Sequence, residues 1–238
     1  MEIRFAVAKI SKYATRESGD TLEMVERPHG GLSMVLVDGQ RSGRAAKSIS
    51  NVVARKAIQL LAEGVRDGAA ARAAHDYLYT FRGGKVSATL NILSVDTRTR
   101  TIVIGRNNEA PVLVHTAADG FYLLDSESKA VGVHRHTKPV IAEIPIEVGT
   151  IVVAYTDGLR HAGSLSGKGR SYDPYAALQE MVGDGIRDAH AICDRLLAEA
   201  MAMDDGRPRD DISVIAIAVQ DSRDGDDVRR QSGRLTLQ

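Results

Sequence analysis

The chain has one cysteine and no tryptophan, with only three phenylalanines and seven tyrosines among 238 residues. A single thiol, Cys193, excludes an internal disulfide and fits a reducing compartment. It falls inside a helical pattern, the position of a small buried hydrophobe rather than a reactive nucleophile. With so few aromatics, stacking platforms for nucleic-acid bases are not expected. Net charge is also lacking: 31 basic residues face 31 acidic ones. No global field therefore draws the protein to nucleic acid or to a membrane surface. No apolar run reaches the roughly 18 residues of a membrane span. The first residues enter a strand-like segment directly, without the basic and apolar regions of a signal peptide. The expectation is a cytoplasmic protein.

What is present is a β-rich pattern broken twice by helix pairs. Residues 3–10, 21–26 and 32–37 read as strands. The run 34–37 is continuously apolar, as in a strand buried on both faces. After Asp38-Gly39 the period changes: Ala45, Ile49, Val53, Ala57 and Leu61 fall at helical spacing, with Ser42 as cap and Gly64 as stop. A second helix is predicted from Asp67 to Phe81. Short strands follow at 86–95, 101–105, 111–115, 120–124, 139–146 and 150–155, joined by turns too short for parallel crossovers. Helices at 174–181 and 188–203 and a strand at 212–219 complete the order. Strands and helices are segregated, which predicts an α+β fold of two packed antiparallel sheets with helix pairs outside. Residues 1–220 read as one domain, and the charged segment 221–238 as a disordered tail.

Four acidic positions share a context. Asp20 follows Gly19 before a strand, Asp38-Gly39 and Asp157-Gly158 each end one, and Asp210 stands before the last. Taken singly, each is an ordinary turn or cap residue. Taken together they would place carboxylates at one sheet edge, where they repel each other unless cations intervene. An all-oxygen set without histidine or cysteine suits Mg²⁺ or Mn²⁺ rather than zinc. Two such ions suit chemistry on a phosphate ester.

The motifs Ser18-Gly19-Asp20, Asp38-Gly39 with Gly43, Thr156-Asp157-Gly158 and Asp210-Asp211-Ile212-Ser213, in that order, resemble the PPM-type (type 2C) metal-dependent serine/threonine protein phosphatases. The bacterial subfamily named for stage II sporulation protein E is the nearest in pattern. The resemblance spans residues 14–219 and implies an α-β-β-α sandwich. It also implies that Asp38 bridges two Mn²⁺ or Mg²⁺ ions, that the Gly39 carbonyl binds one, and that Asp157 and Asp210 complete the other. Asp20 would hold metal-bound waters or a further ion, and the nucleophile would be a metal-bridging hydroxide. The implied substrate is a phosphoserine or phosphothreonine on a partner protein. In this subfamily that partner is an anti-sigma-factor antagonist or a stressosome protein in a partner-switching pathway. The chain has no room for a sensor domain and resembles the free-standing members.

One departure stands beside the first metal motif. Arg41 occupies a position where the subfamily loop carries glycine, and it is a candidate contact for substrate phosphate. Two other readings stay open: a binding module on the same fold with weakened catalysis, and a metal-dependent phosphoesterase for small molecules. His134 and His136 read as surface histidines. The segment from Gly163 to Gly169 reads as a loop near Asp157, and His161 as a neighbour of that aspartate.

Overall fold

The computed structural model describes residues 1–28, 30–164, 170–222 and 228–234. The chain runs β1 (Glu2–Ile10), β2 (Asp20–Glu26), β3 (Leu32–Gly39), α1 (Gly43–Ala62), α2 (Asp67–Arg82), β4 (Ala88–Asp96), β5 (Thr101–Asn107), β6 (Val112–Thr116) and β7 (Gly120–Leu124). It continues with β8 (Val140–Pro145), β9 (Ile151–Tyr155), α3 (Asp157–His161), α4 (Pro174–Gly183), α5 (Ala189–Met203) and β10 (Ile212–Gln220). Two five-stranded sheets result, ordered β1-β10-β9-β6-β7 and β2-β3-β4-β5-β8. The strand pairings within both are antiparallel. This is the α+β sandwich expected from the sequence.

The continuous apolar runs have a physical reason. Along β3, Met34 and Leu36 face the layer between the sheets. Val35 and Val37 face α1 and α2. Along β10, Ile215, Ile217 and Val219 lie in that middle layer, while Val214, Ala216 and Ala218 lie under α5. A strand buried on both faces has no polar side to alternate with. The helices hold one apolar stripe each: α1 buries Ala46, Ile49, Val53, Ala57 and Leu61, at the three-and-four spacing of a packed face.

Several local predictions need correction. Ser42 stands at the N-cap of α1, but its side chain makes no capping bond. The caps that do bond are Asp173 of α4 and Asp188 of α5, each accepting two backbone N–H groups. β4 begins at Ala88, two residues later than expected. Asp157-Gly158 is not a plain turn: it opens the one-turn helix α3. Part of the loop predicted up to Gly169, and parts of the predicted tail 221–238, lie outside the described residues. Cys193 is buried, as its pattern suggested. His134 and His136 are exposed. Among the described residues no helix is long and apolar enough to cross a membrane.

Candidate metal centre

Register brings the acidic positions together. Asp20 and Asp38 are directly paired across β2 and β3. Side chains alternate along a strand, so Asp38 shares the face of Leu36 and Met34, and Asp20 that of Leu22. Both carboxylates thus emerge at one end of the gap between the sheets. On the opposing sheet, Thr156 follows β9 and Ser213 lies in β10, each in phase with residues of the middle layer. They close the gap. Thr156 Oγ1 donates to Asp20 Oδ2 at 3.0 Å and Ser213 Oγ donates to the same oxygen at 2.6 Å. The two hydroxyls are tied to each other as well, since the Ser213 N–H donates to Thr156 Oγ1 at 2.9 Å.

Asp20 is 1% exposed, and its second oxygen, Oδ1, is buried without a hydrogen-bond partner among the described residues. A buried carboxylate oxygen left over in this way calls for a proton, a water or a cation. Burial pushes the Asp20 carboxyl up to about 6, against the hydrogen bonds from Ser213 and Thr156 that hold it down. The Asp20 backbone carbonyl is also in use: Lys9 and Lys47 donate to it at 2.6 and 2.7 Å.

Asp38 is pushed further, to about 9, first by burial and then by Asp20, Asp157, Asp210 and Asp211. Five carboxylates therefore share one electrostatic neighbourhood. Burial and Asp157 also raise Asp210, against the Asp211 N–H that donates to its Oδ1 at 2.9 Å. Such a set favours either a proton or a cation, and oxygen donors of this kind suit hard divalent ions. The fit is chemical more than geometric: among the described residues no three acidic, imidazole or thiolate groups close into a finished coordination shell.

The structure separates two adjacent aspartates that sequence alone leaves side by side. Asp211 is buried and both its oxygens are occupied, Oδ2 by the Gly19 N–H at 2.7 Å and Oδ1 by the Lys12 N–H at 2.9 Å. It pins the loop before β2 to the start of β10. Asp210 is only half-buried and is the one of the pair free to serve an ion. Asp157 stands on the other side at the start of α3, with His161 Nδ1 3.8 Å from its Oδ2.

Glycine is required at two of these positions by close approach. A Cβ at Gly39 would lie 2.1 Å from the Ala46 carbonyl oxygen of α1, and one at Gly158 would lie 2.1 Å from the Asp211 carbonyl oxygen. Arg41 is exposed and adopts φ 83°, the left-handed region in which a glycine is at ease. Thr156, Ser213, Asp211, Lys9 and Lys47 carried no role in the sequence reading. The signal for the first two was available, since each lies in phase with the apolar residues facing the other sheet.

The sequence family described as Stage II sporulation protein E matches residues 28–220. No curated protein matches the chain. Among solved structures, the phosphatase domain with a regulatory-domain fragment of SpoIIE from Bacillus subtilis superposes with TM-score 0.76 at 16% identity. That match covers 92% of this chain and 63% of the other, so the chain spans less than two thirds of that relative. The RsbU and RsbW domains of Rv1364c from Mycobacterium tuberculosis match with TM-score 0.69 at 19% identity, over 92% of this chain and 60% of that one. The catalytic domain of the serine/threonine phosphatase PstP, solved with two manganese ions, matches with TM-score 0.67 at 14% identity, over 92% and 99%. At these identities the structural likeness is one of fold, and the family match carries membership. The chain belongs to the stage II sporulation protein E family of PPM-type phosphatases.

Proposed function

We propose that this protein hydrolyses phosphoserine or phosphothreonine on a partner protein, using two Mn²⁺ or Mg²⁺ ions. The observation that carries this reading is the shared edge: Asp38 driven up by burial and four neighbouring carboxylates, next to the orphaned Oδ1 of Asp20. Asp38, the Gly39 carbonyl, Asp157 and Asp210 would hold the ions, with Asp20 behind them. When bound, the ions supply Lewis acidity toward the phosphoryl group and make water acidic enough to attack it.

The chain's own residues fix the rest. Thr156 and Ser213 hold Asp20 Oδ2, which leaves Oδ1 as the oxygen of that carboxylate available to an ion or its waters. Asp211 holds the loop before β2 in place. Gly39 and Gly158 let α1 and the start of β10 approach without a side chain between. Among the described residues Ser213 is engaged with Asp20, and Cys193 is buried with its thiol pushed up to about 12 by desolvation.

The partner we assign is a small phosphorylated anti-sigma-factor antagonist or a stressosome protein, acting in the cytoplasm through partner switching. The family and the fold shared with a protein carrying RsbU and RsbW domains support this choice. We treat residues 1–220 as the phosphatase domain. Phosphate release from an aryl phosphate and from a phosphoprotein, with Mn²⁺ or with chelator, tests the reading. Metal-dependent release from the phosphoprotein is expected, and Asp157→Asn should abolish it while leaving the fold intact. Release that ignores the metal would overturn the assignment. Aryl phosphate turnover alone would mark a small-molecule enzyme, and no turnover by folded protein a binding module.

A further inference from the structure

A groove of about 720 Å³ opens beside the metal centre, between the loop after β1 and the loop from α5 to β10. Its walls are Lys12 and Tyr13 on one side and Arg207, Pro208 and Arg209 on the other. The two walls are joined by backbone, the Tyr13 N–H donating to the Pro208 carbonyl at 2.7 Å. They are also joined to the centre: the Lys12 N–H donates to Asp211 Oδ1 at 2.9 Å, and Arg209 directly precedes Asp210. The loop beneath is braced by Asp204, whose oxygens accept the N–H groups of Gly163 at 2.9 Å and Arg209 at 3.1 Å. The groove is therefore a built feature, of a size within the ~300–1,000 Å³ typical of ligand clefts.

Its surface chemistry is cationic and aromatic. Tyr13 is 57% exposed, and the exposed Arg207 places its guanidinium carbon 5.2 Å from the ring centre. Lys12 and Arg209 add two further cations. The buried Asp204 carboxylate accepts the bonds just described and lies 4.0 Å from Arg209 Nε, which it partly offsets, and Asp205 is the exposed acidic side chain at this rim. Three cations face two carboxylates, Asp204 buried and Asp205 exposed, and the remaining positive excess is complementary to an acidic ligand. Arg207 precedes Asp210 by three residues, so at ~3.3–3.6 Å per residue the two backbones lie within about 11 Å, a span an extended segment covers in about two to four residues.

We propose that this groove seats an extended segment of the phosphoprotein substrate, carrying acidic side chains two to four residues from the phosphorylated one. The inference rests on the phosphatase reading and adds the sequence context that the enzyme selects. Stacked Tyr13 and Arg207 form the wall that reads the flank, and Lys12 and Arg209 sit nearest the centre. The cations also offset the field of the aspartates, which would otherwise repel an acidic segment approaching the site.

The test uses phosphopeptides identical except for flanks of three glutamates or three lysines, with p-nitrophenyl phosphate as the small substrate. With Mn²⁺, the acidic flank should raise kcat/KM about tenfold over the basic one, chiefly through KM. Arg207→Glu should erase or invert that preference. The same peptides titrated by fluorescence anisotropy into the Asp157→Asn protein should show the same order of affinity without turnover. Equal binding and turnover of the two peptides by the wild type, or an unchanged preference in a folded Arg207→Glu protein, would overturn the groove. A loss of the phosphatase reading looks different: no metal-dependent release from p-nitrophenyl phosphate, while the anisotropy arm still decides the groove.

Discussion

The hydroxyl clamp on Asp20 gives a quantitative test of how the two sheets are held at the site. Ser213→Ala removes one donor to a buried carboxylate at 2.6 Å, in a residue that is fully buried. A hydrogen bond to a charged group contributes about 1.5–3 kcal/mol, so the loss should be about 2 kcal/mol. Thr156→Val is nearly isosteric and leaves no cavity, yet it removes two bonds: the donor to Asp20 and the acceptor of the Ser213 N–H. Orphaning that buried N–H adds about 1–3 kcal/mol, giving about 4 kcal/mol in all. Thr156→Ser keeps the oxygen and should restore most of it. Urea unfolding in chelator measures these changes, as midpoint shifts at constant m-value. The double variant should cost more than the sum of the singles, by at least about 0.5 kcal/mol, because Asp20 then loses both of its donors. Shifts below about 0.5 kcal/mol in both single variants would refute the clamp, since surface-like substitutions give changes of that size.

The adjacent aspartates should behave oppositely. Asp210→Asn should keep the unfolding midpoint and lose metal-dependent turnover. Asp211→Ala should cost about 2–3 kcal/mol, because the Gly19 and Lys12 N–H groups lose their acceptor. Arg41→Gly should stabilise the protein by about 1 kcal/mol, since a left-handed backbone strains any side chain there by about 1–2 kcal/mol and the freer unfolded glycine returns part of it. An unchanged KM for the phosphoprotein in that variant would remove Arg41 as a phosphate contact. His75 is pulled below its ordinary range, first by burial and then by His134 and His136, against Asp76. Its Nδ1 accepts the Gly132 N–H at 3.0 Å, which a second proton would break. A depressed imidazole binds fewer protons folded than unfolded, so its contribution is present above about 6.5 and is lost as pH falls below it. The fall in urea midpoint from pH 7 to pH 5 should therefore be smaller in His75→Gln than in the wild type, and an equal fall in both would refute this.

Most of the element order could be read from periodicity, because each run is buried in a consistent way: β3 and β10 on both faces, α1 on one stripe. What periodicity could not show was the registration of distant strands. Asp20 and Asp38 are cross-strand partners only because β2 and β3 pair at that offset. Asp20 meets Thr156 and Ser213 only because the second sheet lies across the gap at the same height. Nor could it separate Asp210 from Asp211, since both precede the same strand and differ in which N–H groups fold back onto them. Arg106 is a further case. It is 1% exposed and donates to the Asn108 and Ser126 carbonyls, organising the irregular segment after β7 with no motif to announce it.

Helix α1 meets both strands that carry the first pair of carboxylates. Its Ala46 sits against Gly39 after Asp38, and also against Gly19 before Asp20, where an added Cβ would lie 2.6 Å from the Ala46 Cβ. The next residue, Lys47, donates to the Asp20 carbonyl, and one turn on Ser50 Oγ donates to the Gly19 carbonyl at 2.5 Å. Thr21 Oγ1 closes the set by bonding Ser50 and Asn51 at 2.7 and 2.8 Å. These contacts tie α1 to the backbone around Asp20 and Asp38, while Asp157 and Asp210 adjoin β9 and β10 of the opposing sheet. The two halves of the carboxylate set belong to two different sheets, joined at this end by the bonds from Thr156 and Ser213 to Asp20 and by Asp211. A shift of α1 relative to the opposing sheet would change the distance between those halves.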